Sequence, residues 1–387
     1  MEGGASAPPL GFESTMARKL TIDRLLFLTT LALVAASIVM VYSASNVLAS
    51  ARHLGPNYFL TKQALFAILG LAAMAITMQV DYRSYRDQRF IWVVVGCTLA
   101  ALVAVLLIGP RINGSQRWFF LGGVGIQPAE LAKLAVILFT AAVLEQRMDR
   151  IREVKHALGP IALLLAVTLG LIAWQPDFGS AMVVLASAAA MAFAAGLPYR
   201  YFVGIAIGLI PLIGIYAVSA DYRMRRLAAY WNPWEQAQGD GFQAVQSMIA
   251  VGIGGLTGRG LGNSIQKLFY LPEPHSDFIY AVLSEELGLV GATLVLLGFV
   301  VITWRGLRIV VRATDPFGAF LATGLTAMFA VQALFNISVV LGLLPVKGIP
   351  LPFVSAGGSS LIVSLAGMGV LLNISQHGSA TTTTRGA

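Results

Sequence analysis

The sequence predicts an all-α polytopic membrane protein of about ten transmembrane helices, with one long outer loop between helices seven and eight. Three observations carry that prediction. Of the 387 residues, 57% are hydrophobic and only 11% are charged, against about a quarter charged in a soluble domain. Apolar runs long enough to cross about 30 Å of hydrocarbon recur along the whole chain. Arg and Lys collect in alternate connections, the pattern left when basic loops stay on one side of a membrane.

In chain order, Met1–Thr15 is rich in Gly, Ala and Pro without an apolar core, so no cleavable leader is read there, and Met16 is an alternative start. Residues 1–24 are read as a cytoplasmic tail, 25–373 as one transmembrane domain and 374–387 as a second cytoplasmic tail, with Thr381–Thr384 disordered. Spans are expected at Leu25–Ala44, Phe59–Thr77, Phe90–Ile108, Ala129–Leu144, Leu158–Ala173, Ser180–Ala195, Tyr201–Val218, Phe278–Thr303, Phe317–Val340 and Val354–Asn373. Arg18, Lys19 and Arg24 precede the first; Arg83, Arg86 and Arg89 fill the second connection; Arg147, Arg150, Arg152 and Lys155 the fourth; Arg305, Arg308 and Arg312 the eighth. If the spans alternate, all of these share one side, which is then cytoplasmic and holds both termini. The net charge of +8 follows from topology and does not call for nucleic acid.

The seventh connection, residues 219–276, is long and mostly polar and falls on the outer side. Long loops inside a compact protein tend to be functional. This one contains Trp231, Trp234 and the glycines Gly252, Gly254, Gly255, Gly258, Gly260 and Gly262, a density that implies close backbone approach to a ligand or tight turns. A flexible linker is the alternative, against which Phe242–Ile253 is apolar enough to pack into or lie on the membrane. Arg223, Arg225, Arg226, Arg259 and Lys267 lie here against the positive-inside pattern, joined by Arg111, Arg117 and Lys347 in other outer connections. A diphosphate ligand or anionic lipid gives such cations a reason.

Asp277 stands where this loop ends and the eighth span begins, after Pro272, Pro274 and His275. Its carboxylate either caps the helix or does acid–base chemistry at the depth of a lipid-linked head group. Glu130 and Lys133 share a face one turn apart inside the fourth span, as an ion pair locking two helices or as a substrate contact. Glu285 and Glu286 lie about 12 Å along the helix from Asp277; Glu286 points away and Glu285 partway round, which suits helix–helix hydrogen bonding. Asp177 lines the same mouth or makes an Asx turn. One cysteine, Cys97, and four scattered histidines offer neither a disulfide nor a metal cluster.

Over essentially its whole length the chain resembles the SEDS family of shape, elongation, division and sporulation proteins, which polymerise peptidoglycan. The stretches that carry the resemblance are Tyr42–Ser45, Gly114–Trp118, Gln127–Leu134, Gln175–Ser180, Phe242–Ser247, Gly258–Gly262, Leu271–Gly288, Leu344–Pro350 and Val354–Ser360. Gly262–Asp277 and Ala229–Trp234 are more similar to the division branch than to the elongation branch. Ser276 stands where members usually have Thr, and Ala356 where they often have Tyr.

The resemblance implies a glycosyltransferase in the bacterial plasma membrane, with its site extracytoplasmic, that joins lipid II into glycan strands with Asp277 as catalytic base. It implies Arg117, Lys133, Glu130, Arg259, Lys267, Lys347 and His275 as head-group and diphosphate contacts, supported by Glu285, Glu286, Asp177 and Ser359. Leaving-group charge is then met by Arg and Lys or by a divalent cation, Mg²⁺ or Mn²⁺. No other cofactor is implied. The expected partners are a class B penicillin-binding protein, docking where Gly288, Gly291 and Gly298 allow close helix approach, and divisome or elongasome proteins. Substrate is expected to enter by a lateral groove walled by the spans of Glu130–Lys133 and Asp277. A lipid II flippase, or a scaffold that only recruits enzymes, are the competing classes.

Overall fold

A backbone in hydrocarbon must satisfy its own polar groups, which a helix does within one segment. The computed structural model describes residues 22–378 except 56, 113, 122–123, 149–153, 219–220 and 269. Most of the expected N-terminal tail, with Arg18 and Lys19, residues 379–387, and Arg150 and Arg152 of the fourth connection lie outside the described residues. Among the described residues there are twelve α-helices: α1 (Arg24–Ala51), α2 (Tyr58–Gln79), α3 (Gln88–Ile108), α4 (Pro128–Arg147), α5 (Val154–Trp174), α6 (Phe178–Ala194), α7 (Tyr199–Val218), α8 (Asp221–Trp231), α9 (Phe242–Gly254), α10 (Ile279–Arg312), α11 (Pro316–Val340) and α12 (Gly358–Gly378). Ten of them coincide with the ten expected spans. Six, α1 to α3 and α10 to α12, are long and apolar enough to cross a membrane on their own composition. In α4 the interruption is Glu130, Lys133, Glu145 and Arg147; Glu130 pairs with Lys133, and Glu145 with Arg86.

Two features depart from the expectation. The loop at 219–276 holds α8 and α9, and a short antiparallel hairpin, β1 (Phe119–Leu121) with β2 (Val124–Ile126), precedes α4. The core is formed by α4, α10, α11 and α12. Small residues bring them together: Gly324 of α11 meets Ile137 of α4 and Met191 of α6, and Gly306 of α10 meets Thr326 of α11. On α12, Gly369 lies against Met74 and Thr77 of α2, and Thr77 Oγ1 donates to the Ala366 carbonyl at 3.0 Å. The periphery exposes large apolar side chains such as Leu107, 75% exposed, and Val311, 85% exposed. That inversion places lipid, not water, around the bundle.

At one end, ion pairs tie the termini of helices together. Arg305 meets Asp23 at 2.6 Å, Arg86 meets Glu145 at 2.9 Å and Arg83 meets Asp315 at 3.6 Å. These cations come from connections that the charge pattern assigns to one side. At the other end lie the β-hairpin, α8, α9 and Asp277.

Gly288 breaks α10 with φ +65°. Before the break, Ile279–Glu286 is wholly buried; after it the helix is long enough to span. A broken helix loses backbone hydrogen bonds, and the glycine-rich segment replaces them. Arg259 N and Gly260 N donate to the carbonyls of Glu285 and Glu286, both at 3.0 Å, while Leu289 N and Val290 N donate to Gly255 O and Leu256 O at 2.9 and 3.2 Å. A side chain at Gly258, φ +80°, would strike the Glu286 carbonyl. The close approach read from these glycines is therefore to α10 itself.

Candidate active site

Asp277 is half-buried just before α10, and its backbone is fixed from three directions. Asn336 Nδ2, on α11, donates to the Asp277 carbonyl at 2.8 Å and to the Ile349 carbonyl at 2.7 Å. Ser355 Oγ donates to the Ser276 carbonyl at 2.6 Å and accepts from Leu351 N at 2.7 Å. Ala356 N donates to the His275 carbonyl at 2.9 Å. No capping bond from the Asp277 side chain to α10 is present; the helix begins at Phe278 without a side-chain cap. The carboxylate instead faces Gly348, where even a Cβ would collide with Oδ2.

Burial pushes the Asp277 carboxyl up to about 7; the negative charges of Glu273 and Asp177 push the same way, and Arg117 opposes them. A carboxyl at that value exists in both forms near neutral pH, the condition under which a general base both holds and releases a proton efficiently. His275 sits against Phe59, ring centroids 5.1 Å apart, and burial holds its imidazole below the ordinary value while Glu273 acts in the opposite direction. It is therefore neutral at pH 7.

Asp177 does cap α6, accepting from Ser180 N at 3.3 Å, from Ser180 Oγ at 2.9 Å and from Gln127 Nε2 at 2.7 Å. Gln127 N in turn donates to Ser359 Oγ at 3.1 Å. Arg117 lies over the same turn, donating to the carbonyls of Gln175 and Pro176 at 2.8 and 2.6 Å. Two of its five N–H donors are thus engaged and three remain. Lys347 sits 5.0 Å from the centroid of the Phe178 ring. Asp277, His275, Asp177, Ser359, Arg117 and Lys347 thus gather at one end of the bundle.

The other expected residues divide. Glu130 and Lys133 pair at 2.8 Å, both almost fully buried, and Lys133 Nζ also donates to Gln332 Oε1 at 2.8 Å. Lys267 departs from the expected diphosphate contact: only 7% exposed, its ammonium binds Glu286 Oε1 at 2.9 Å, Gly262 O at 2.6 Å and Ser43 Oγ at 3.2 Å. Glu285 accepts from Ser264 Oγ and from the N–H groups of Ile265 and Gln266. Both glutamates therefore anchor the loop to α10. Arg259 is exposed beside them, bound through its backbone. Residues the sequence reading passed over are Gln332, Asn336, Gln127, Ser355 and Gly348. The first two had a signal: amide side chains four apart inside an apolar span share a face and require partners.

The glycines expected to receive a partner helix are used internally. Gly298 lies against Leu33 of α1, Gly291 against Leu287, and Gly288 against the 256–258 backbone. Among the described residues no three His, Cys, Asp or Glu side chains come together as a metal site. The described residues do not fit a protein-held Mg²⁺ or Mn²⁺.

A family model for the FtsW/RodA/SpoVE cell cycle proteins matches residues 23–380. The chain belongs to this SEDS family. It is 43% identical over 354 residues to a probable peptidoglycan glycosyltransferase FtsW of Geobacter metallireducens, covering 91% of this chain and 94% of that one. It is 44% identical over 361 residues to stage V sporulation protein E of Bacillus subtilis, covering 93% and 98%. A SEDS-like chain solved in a peptidoglycan synthase complex, described as coordinating polymerization and crosslinking, superposes with a TM-score of 0.76 at 31% identity, covering 93% of this chain and 99% of that one. The division and sporulation relatives thus align with this chain over more than nine-tenths of its length.

Proposed function

We infer that this chain is a peptidoglycan glycosyltransferase that polymerises lipid II outside the plasma membrane, in septal wall synthesis. One observation carries the mechanism: Asp277 is a backbone-clamped carboxyl, raised to about 7, at the end of a membrane bundle. A sugar hydroxyl is too weak an acid to attack unaided. Asp277 takes the proton of the acceptor GlcNAc 4-hydroxyl as that oxygen bonds to the reducing-end MurNAc C1 of the growing strand. The C1–O bond to the diphosphate breaks, the anomeric centre inverts, and polyprenyl diphosphate leaves. Its negative charge is met by Arg117, Lys347 and Arg259, whose interactions strengthen as the bond breaks.

The basic end of the bundle, with Arg86 and Arg305, is read as cytoplasmic, which puts Asp277 outside. Among the described residues the connections between the helices hold no large soluble domain, and cross-linking is assigned to another protein. A class B penicillin-binding protein is the proposed partner, supported by the complex in which its structural relative was solved. Purified protein with lipid II tests the reading: the native chain makes polymer and Asp277→Asn makes none while remaining folded. Translocation of lipid II across vesicles without polymer would instead support a transporter.

A further inference from the structure

We propose that Asn336 is a positioning residue for Asp277. Its one amide group ties the backbone of the base to the 345–352 segment, and Gln332 one turn earlier ties that segment to the buried Glu130–Lys133 pair. The inference rests on the reading of Asp277 as the base.

The geometry is specific. Asn336 is 2% exposed, and both of its N–H donors end on backbone carbonyls, Asp277 O and Ile349 O. Gln332, also 2% exposed, accepts from Lys133 and donates Nε2 to the Pro350 carbonyl at 2.9 Å. At four residues' spacing the two amides lie on one face of α11. They hold two consecutive carbonyls of the segment whose Gly348 borders the Asp277 carboxylate. The ion pair inside α4 therefore reaches the base through α11. Carbonyls with no N–H donor would let both strands drift, and a displacement of about 1 Å at a reacting group costs on the order of a hundredfold in rate.

The test uses the purified full chain with lipid II, comparing native protein, Asn336→Leu, Asn336→Ser and Asp277→Asn. Leu keeps the branched shape and removes both donors; Ser keeps one. Asn336→Leu is expected to lower kcat at least about tenfold with KM changed less than about twofold. Its acid limb of kcat against pH should also move down by about half a pH unit or more, because a loosened carboxyl regains water. The charged groups facing Asp277, namely Glu273, Asp177 and Arg117, are unchanged in the variant. Asn336→Ser should fall between. A native kcat and native limb in Asn336→Leu, or a uniform loss of active protein with the limb unmoved, overturns the proposal. If Asn336→Leu does not fold, Asn336→Ser decides by the same two readouts. Polymer formed by Asp277→Asn removes the underlying base reading instead, so the two failures are distinguishable.

Discussion

Replacing Lys267 with Met tests whether this cation serves the fold or the substrate. Met keeps most of the side-chain length and removes the ammonium, and with it bonds to Glu286 at 2.9 Å, Gly262 O at 2.6 Å and Ser43 at 3.2 Å. Glu286, fully buried, then keeps only Ser43 Oγ and Ser264 N as donors. Removing one partner of a buried ion pair costs about 3–5 kcal/mol. The donors left on Glu286 place this case near 3 kcal/mol, on the order of 4 °C in melting temperature for a chain of this size. Adding Glu286→Gln removes the stranded charge and should restore about half of the loss, a coupling expected only of groups in contact. The assay is thermal unfolding in detergent, followed by loss of the monodisperse peak, together with KM for lipid II. A melting point within about 1 °C of native, or strict additivity in the double variant, would refute the structural reading. An unchanged melting point with a raised KM would return Lys267 to the diphosphate.

Other substitutions probe the base and the break in α10. Gly348→Ala places a methyl where the Asp277 carboxylate lies, so polymerisation should fall at least about tenfold with melting little changed. Gly258→Ala meets both φ +80° and the Glu286 carbonyl; a loss of about 2–3 kcal/mol is expected, read as increased protease cutting between Gly254 and Tyr270. Activity should rise as pH climbs through about 7, because the base must be ionised and Asp277 titrates there. Stability runs the opposite way. A carboxyl whose folded value lies above its unfolded one favours the fold at low pH and loses that contribution as pH rises through about 7. Asp277→Asn should therefore melt higher than native at pH 8, by a margin that shrinks as pH falls toward the ordinary carboxyl value of 3.8.

The ten helices that coincide with the expected spans were legible because hydrocarbon thickness demands long apolar runs. The helices α8 and α9 were not. The Arg-rich α8 has the composition of a loop, and α9 carries only thirteen residues. The glycines at 254–262 announced a close backbone approach, but only the fold shows that their partner is the carbonyl edge of a broken helix. That break is hidden because Gly288 is one of several glycines in α10, with Gly291, Gly298 and Gly306, and its place in the sequence does not single it out. Asp277 was legible from its place at the loop–span boundary. Lys267 and Glu286 were each visible as charges, yet nineteen residues separate them, and sequence alone gives no reason to pair them. Gln332 and Asn336 carry no charge to mark them, although a buried amide in an apolar span demands partners for the same reason.

The basic residues of the Asp277 end thus fall into two classes with different consequences for the leaving group. Lys267 is neutralised by a buried carboxylate, so its field at the substrate is largely cancelled. Arg117 is anchored by two carbonyls, which carry no net charge, and it retains full charge and free donors close enough to influence Asp277. Lys347 and Arg259 are exposed. A diphosphate arriving with a lipid therefore meets one rigid cation beside the base and two that can move toward it. A rigid Arg supplies preorganised stabilisation where charge develops, whereas exposed lysine and arginine side chains lose conformational entropy when they are fixed. Arg117 should consequently contribute mainly to kcat, and Lys347 and Arg259 mainly to capture. Arg117→Lys, which keeps the charge but cannot hold both carbonyls in a planar fork, should lower kcat with little effect on KM. The reverse pattern would assign Arg117 to binding alone.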